Sequence, residues 1–335
     1  MELRGSAVEG LGSVKVLVAG GTGFVGSNVV HRFLQGNAEV HILTRKNSTL
    51  WRIQEIEDQL NLHYGNQSSV SFLERTVSEI RPDVIVNCSG IVKGFDLNDQ
   101  ESVVQSNLMN TVNLTNAALR SNIDTVIHTG SAYECGFSER PITNINCKGD
   151  PIGLYGIVKR AETEYIRMVS EKYTKKYITL RLFTPYGFFD SPLRLIPYVI
   201  TSLILGKIPR INNPGAGRSF IFMNDVSNVY YGIAKAPERF DGVSTVNLGA
   251  LNLTGVAELV SILHKFFSTD YEVNNTIENE NKEYLYPDSN EIMQLLSKLS
   301  IEFTPMNDGL AATVNWFRDN IEFYDTKLLT EKKRP

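Results

Sequence analysis

A short apolar run near the start of the chain, Val14 to Ala19, passes directly into Gly20-Gly21-Thr22-Gly23-Phe24-Val25-Gly26 and then into helical periodicity over Phe24 to Leu34. No other feature restricts the fold as much. Gly20, Gly23 and Gly26 give a GxxGxxG spacing. A tight turn needs glycine for its backbone angles. A pyrophosphate needs bare backbone at a helix N-terminus, where N–H groups and the helix dipole favour negative charge. The last glycine lets helix and strand lie close together. The strand–turn–helix setting, more than the glycine spacing alone, marks a nucleotide site.

The first half continues the same rhythm. Glu39 to Thr44 reads as a strand and Ser69 to Ile80 as a helix. Pro82 delivers the chain into a strand over Asp83 to Cys88. A helix over Ser102 to Leu119, a strand over Thr125 to Thr129, a helix from about Leu154 to Lys172 and a strand over Tyr177 to Phe183 follow. This alternation predicts an α/β fold, a doubly wound parallel sheet with helices on both faces. After Pro185 the rhythm breaks. Helices are expected near 193–207, 225–236, 254–267 and 308–320, separated by irregular segments. At roughly 150 residues per domain, 335 residues suggest two. The expected division is a dinucleotide-binding domain of 13–184 plus about 220–250, and a smaller C-terminal α+β substrate domain of about 185–219 plus 251–329. Residues 1–12 and 330–335 are expected to be flexible tails.

Composition narrows the function classes. Hydrophobic residues are 42% and charged residues 21%, enough for a folded core. A net charge of −4 gives no basic field for nucleic acid. No run reaches the roughly 18 apolar residues of a membrane span; the longest, Leu195 to Leu205, contains Pro197. The first residues lack the apolar core of a secretory signal. Cys88, Cys135 and Cys147 match neither a disulfide framework nor a metal-ligand spacing, so reduced thiols in a cytoplasmic protein are expected. The histidines show no HExxH pair, and no metal is expected.

Three further features carry chemistry. Tyr155-Gly-Ile-Val-Lys159 places a phenol and an ammonium on one helix face. A phenol titrates near pH 10, and a neighbouring ammonium favours its ionised form. Tyr231-Gly-Ile-Ala-Lys235 has the same spacing. Position separates the two. Tyr155 opens the helix that follows the Thr125–Thr129 strand, on the sheet edge where ligands bind, whereas Tyr231 falls inside a helix after the rhythm has broken and is expected to be a packing residue. Ser131, just past that strand, supplies a hydroxyl for the oxygen that exchanges its proton with Tyr155, with Thr129 in reserve. The second strand ends in Thr44-Arg45-Lys46. An NAD site usually carries a carboxylate there, whereas Arg45, with Lys46, suits a 2′-phosphate. NADP is therefore expected, with NAD still possible.

Together these residues resemble the extended short-chain dehydrogenase/reductase family, the nucleotide-sugar epimerases, dehydratases and 4-ketoreductases, from about Val14 to Trp316. AGGTGFVG stands where that family has TGxxGxxG, with Ala19 for threonine. LYGIVKRAETE holds the Tyr/Lys pair, and Ser131 falls at the Ser/Thr position. SNLMNTVNLTNAA resembles the NvxGTxNLL helix, LRLFTPYG the LRxxNVYG segment, Gly215 to Val226 the GxGxxxRDFxxVxDV segment, and Gly309 to Trp316 the C-terminal GLxxTVxW helix. The resemblance implies a Rossmann sheet with Ser131, Tyr155 and Lys159 as catalytic residues. It implies cofactor contacts from Gly20, Gly23, Phe24, Val25, Gly26, Arg45, Asn66, Asn107, Tyr155 and Lys159. It implies substrate contacts from Ala132, Tyr133 and Arg218, the last on a diphosphate. The partner implied is a nucleotide-diphosphate sugar, and a homodimer through the helices near 102–119 and 155–172 is the family expectation. Dehydratases of this family carry an Asp-Glu pair where this chain has Ala132 and Tyr133, so elimination lacks its acid and base. What remains is a 4-ketoreductase, favoured by the basic end of the second strand, or a 4-epimerase with tightly held NAD. A non-enzymatic NADP sensor is a minor third reading.

Overall fold

The computed structural model describes residues 14–92, 97–147, 149–270 and 283–324; the expected flexible tails lie outside these. The chain divides into two compact units. The first holds Met1–Gly136, Asp150–Leu182 and Ser227–Val246, and the second holds Phe137–Gly149, Phe183–Val226 and Asn247–Pro335.

The first unit is built on a seven-stranded sheet. In chain order its elements are β1 (Lys15–Ala19), α1 (Phe24–Gln35), β2 (Glu39–Thr44), β3 (Asn61–Tyr64), α2 (Val70–Ile80), β4 (Val84–Asn87), α3 (Leu97–Val103), α4 (Asn110–Arg120), β5 (Thr125–Ser131), α5 (Gly153–Tyr173) and β6 (Lys176–Leu182). The sheet order is β10-β6-β5-β4-β1-β2-β3, with β10 at Thr245–Leu248. The strands run parallel, with Val16 beside both Val40 and Val84, and Val126 beside both Ile85 and Tyr177. This is the doubly wound sheet that the sequence predicts. Chain order reverses between β1 and β4, and ligands of such sheets bind beyond the carboxyl ends of the strands at that reversal.

Local chemistry explains the elements. The β1 run is solid apolar because both faces are covered; Val16 to Ala19 are fully buried. Ser69 caps α2 by accepting the Phe72 N–H at 3.3 Å, and the helix ends at Arg81, left-handed at φ 49°, just before Pro82. Leu73, Val77 and Ile80 of α2 pack with Leu114, Ala117 and Ala118 of α4 on one face of the sheet, in a core shared with Leu17, Ile85 and Val126. Between α3 and α4 the helix widens to π geometry over Val104–Met109.

The second unit contains β7 (Thr184–Tyr186), α6 (Leu195–Ile204), β8 (Gly217–Arg218), β9 (Phe220–Phe222), β11 (Thr254–Gly255), α8 (Val256–Lys265), β12 (Tyr284–Leu285), α9 (Ser289–Leu299) and α10 (Met306–Asp319). Helix α7 (Met223–Lys235) crosses the boundary between the two units. β8 pairs with β11 and β12, and β7 runs parallel to β9. Trp316 anchors an aromatic cluster with Phe188, Phe189, Phe317 and Tyr324. No helix among the described residues is long and apolar enough to cross a membrane. One expectation is corrected: only Cys88 is a free thiol, while Cys135 and Cys147 are disulfide-bonded. Sequence spacing alone does not reveal which thiols the fold brings within bonding reach.

Candidate active site

The site begins at the glycine turn. Gly20 adopts φ +77°, and a Cβ at Gly26 would sit 2.1 Å from the Gly20 carbonyl oxygen. The Gly23 N–H closes the turn onto that carbonyl at 3.0 Å. Gly23 is the N-cap of α1, with no side-chain cap and no acidic residue in the first turn. N–H groups at a helix N-terminus point outward and suit an anion, and Phe24 and Val25, both half-buried, open this one. A dinucleotide fits this cradle: bare backbone, a helix N-terminus and the reversal point of the sheet coincide.

The edge beyond β2 is basic. Arg45 and Lys46 are exposed just beyond β2. A second arginine, which sequence reasoning missed, stands nearer the turn. Arg52 donates to the Thr22 carbonyl at 3.4 Å and lies 4.4 Å above the Trp51 ring. Asn66 is exposed after β3 and accepts the Ser68 N–H at 3.0 Å, forming the turn into α2. Asn107 is fully buried in the π stretch. Its amide accepts from the Ile91 N–H at 2.8 Å and donates to the Ile91 carbonyl at 3.1 Å. That clamp holds Ile91, four residues beyond β4.

The proposed acid–base residues meet at the end of β5. Ser131 closes the strand, and its hydroxyl accepts the Tyr133 N–H at 3.2 Å. Tyr155, in the first turn of α5, reaches the Ser131 side chain and meets the Tyr133 ring edge-on at 6.2 Å. Lys159, one turn further, is buried. Its ammonium donates to the Thr129 carbonyl and to Glu162 Oε2, each at 3.0 Å. Burial lowers the affinity of that amine for its proton, but Glu162 and Tyr155 more than compensate, so the pKa is raised. Burial also raises the Tyr155 phenol; Lys159 opposes this, whereas Glu162 and Glu134 add to it.

Two buried carboxylates lie behind these residues. Glu162 Oε2 also accepts from the Thr111 hydroxyl at 3.2 Å and lies 3.0 Å from His128 Nε2, a contact bent too far from the N–H axis to be a full hydrogen bond. Asn87 Nδ2 stands 3.3 Å from His128 Nδ1, and as donor it leaves the ring proton on Nε2, facing the carboxylate. Burial keeps the imidazole neutral. Burial alone would raise Glu162, but Lys159 and His128 outweigh it and hold the carboxyl below its ordinary range. Glu134 accepts the Ser131 N–H on Oε1 and the Arg181 Nε–H on Oε2, each at 2.8 Å. Gly130 makes room for this pair, since a Cβ there would lie 2.7 Å from Glu134 Oε1.

Two other predicted residues, Ala132 and Tyr133, directly follow Ser131 in the chain. Ala132 is fully buried. Tyr133 is half-buried, and its carbonyl accepts the Ile152 N–H at 2.9 Å. Arg218 belongs to the second unit, where its guanidinium donates to the Gly217 carbonyl at 2.9 Å, to the Glu283 carbonyl, and to Glu283 Oε2 at 3.3 Å. Phe137 lies beneath it at 5.0 Å. Tyr231 packs as expected: it is buried, with the Arg32 guanidinium 3.6 Å above its ring.

Comparison with known proteins gives this geometry a lineage. The family model described as the NAD-dependent epimerase/dehydratase family matches residues 16–249. UDP-glucose 4-epimerase of Neisseria meningitidis serogroup B is 26% identical over 274 residues, covering 73% of this chain and 80% of that protein. Among solved structures, UDP-glucose 4-epimerase of Thermotoga maritima with UDP-glucose superposes with TM-score 0.78 at 20% identity, covering 92% of this chain and 100% of that one. dTDP-glucose 4,6-dehydratase of Bacillus anthracis in complex with NAD superposes with TM-score 0.80 at 19% identity, covering 95% and 100%. The family model spans the glycine turn, Ser131, Tyr155, Lys159 and Arg218, well over half of the chain, and the chain belongs to the NAD-dependent epimerase/dehydratase family.

Proposed function

We propose that this protein reduces a 4-keto nucleotide-diphosphate sugar with NADPH. The observation that carries this reading is the basic carboxyl edge, Arg45 and Lys46 beyond β2 with Arg52 on the glycine turn. Arginine forks onto phosphate oxygens, whereas an NAD site places a carboxylate there. Gly20, Gly23 and Gly26 would hold the pyrophosphate, with Phe24 and Val25 N–H groups beside it, Asn66 near the adenine, and Lys159 at the ribose. When bound, the dinucleotide supplies the hydride. Tyr155 gives its proton to the carbonyl oxygen of the sugar as the alcohol forms. Ser131 donates a hydrogen bond to the same oxygen, and Lys159 holds the phenol by charge. Ala132 and Tyr133 border the sugar, and Arg218 takes the diphosphate in exchange for Glu283. Elimination of a hydroxyl is disfavoured because Ala132 and Tyr133 supply neither the carboxylic acid nor the carboxylate of the Asp-Glu pair.

A second reading rests on the relatives. UDP-glucose 4-epimerase of Neisseria meningitidis covers 73% of this chain, and 4-epimerisation uses the same Tyr155 as base and then as acid. The nucleotide released on denaturing freshly purified protein separates the two. Protein that emerges empty and then binds NADPH much more tightly than NADH supports reduction. Stoichiometric NAD overturns it in favour of epimerisation. The exposed Met109, Ile157 and Met168 near the ends and along α4 and α5 support a homodimer through those helices, which light scattering tests.

A further inference from the structure

The proton handling assigned to Tyr155 and Lys159 leaves a buried charge unexplained. Glu162 is fully buried one turn beyond Lys159 on α5. A buried carboxylate is costly unless it is paired and hydrogen-bonded. Oε2 gathers Lys159, Thr111 and the close approach of His128, while Oε1 has no partner among the described residues. All that attention falls on one oxygen, the one facing the lysine.

Lys159 has three N–H donors. The Thr129 carbonyl takes one and Glu162 takes another. One donor is left for the phenol or a ribose hydroxyl. We propose that Glu162 is a positioning residue, which clamps the Lys159 ammonium with a single donor free and offsets its positive charge so that Tyr155 remains a proton-bearing phenol. This rests on the reading of Tyr155 and Lys159 as the proton-handling pair. A bare lysine beside a tyrosine favours the phenolate, which must first take up a proton before it can give one. A compensated lysine leaves the phenol ready as an acid, the form that reduction of a carbonyl consumes.

Every element packed on the pair contributes to this balance. His128 comes from β5 and is neutral. Glu134, with Arg181 of β6 on its far oxygen, adds negative charge behind Ser131. Tyr133 meets Tyr155 at its edge. Cys88 and Tyr230 lie around Thr129; burial pushes the thiol up to about 11, and burial also raises the Tyr230 phenol. Thr111 and Asn87 are polar and uncharged. Among the described residues, Glu162 is the carboxylate that bonds to the lysine itself.

The test reads the phenol directly and needs no cofactor. Tyrosinate absorbance is titrated in the wild type and in Glu162→Gln, each against the same protein carrying Tyr155→Phe, so that the difference reports Tyr155 alone. Glu162→Gln keeps the shape and removes the charge. Its Tyr155 midpoint should fall by about one pH unit or more, a tenfold change in proton concentration. A folded Glu162→Gln with an unmoved midpoint overturns the proposal, because a residue needed only for packing changes the melting temperature and not this titration. If Glu162→Gln does not fold, Glu162→Asp draws the carboxylate back by one methylene and should lower the midpoint by a smaller amount. No shift in that variant overturns the proposal equally. Turnover of Tyr155→Phe is measured separately: its survival would sink the assignment of Tyr155 while leaving the Glu162 titration to be judged alone.

Discussion

Helices α5 and α7 carry the same five-residue pattern, Tyr155-Gly-Ile-Val-Lys159 and Tyr231-Gly-Ile-Ala-Lys235, and the fold uses them in opposite ways. On α5 the lysine is buried against Glu162 and the Thr129 carbonyl, and the tyrosine reaches Ser131. On α7 the tyrosine is buried between Phe33, at 5.9 Å, and the Arg32 guanidinium, while Lys235 is exposed. The difference lies in what each helix packs against. α5 lies over the carboxyl end of β5, where a strand terminus presents a carbonyl and a hydroxyl. Tyr231 meets the side chains of α1. The same spacing gathers polar partners only where a strand end supplies them.

The sharpest break of the symmetry is a single oxygen. Tyr155→Phe should cut turnover by about 10²–10⁴-fold with a melting temperature close to wild type. Tyr231→Phe should keep turnover within about twofold. Steady-state rates of the two variants, measured on the same nucleotide sugar, check this; equal losses would dissolve the distinction.

The lysines differ in stability as well. Lys159→Met leaves Glu162 buried without its ammonium, and should destabilise by about 3 kcal/mol. Lys235→Met changes an exposed residue and should stay within about 0.5 kcal/mol. Denaturant titration of both variants decides it.

The smallest expected effect contrasts a buried carboxylate on each helix. Glu162 has a lysine and is held low, whereas Asp225, in the first turn of α7, accepts the N–H of Thr304 at 3.0 Å and its hydroxyl at 2.9 Å. Burial pushes Asp225 up to about 6 from its ordinary 3.8. Above pH 6 the residue is ionised in folded and unfolded chains, and the folded state bears the desolvation cost. Below about pH 4 it is protonated in both, and that cost is gone. Stability relative to Asp225→Asn should therefore rise by about 2 kcal/mol as pH falls from 7 to 4. A constant difference across that range would place the carboxylate in water.

Much of the sheet was legible because its strands are buried on both faces and so read as apolar runs between glycines and helices. β3 and β10 were not. Asn61–Tyr64 and Thr245–Leu248 are four-residue strands at the two margins of the sheet, and β3 has no fully buried residue to announce it. Helix α9 was missed, although Asp288 caps it by accepting two N–H groups. In the candidate site, the glycine turn, Ser131, Tyr155 and Lys159 are readable as a group because chain order locates them. Their supports are not. Lys159 and Glu162 are three apart on a helix, a pattern that on a surface is a weak ion pair; only the packing of Thr111 and His128 around it makes it a buried one. Glu134 and Arg181 are far apart in sequence and meet through Gly130, which looks in the sequence like one more turn glycine. Arg52 was hidden in the same manner, being placed at Thr22 by the fold alone.

The wide turn at Val104–Met109 carries a consequence for anyone aligning this chain with its relatives. A π turn holds one residue more than an α turn over the same rise. Asn107 reaches Ile91 from within that turn. A relative that keeps an uninterrupted α-helix here should therefore align with a one-residue gap. That gap falls before Asn107, because the chain stays in register with NvxGTxNLL from Asn107 to Leu114.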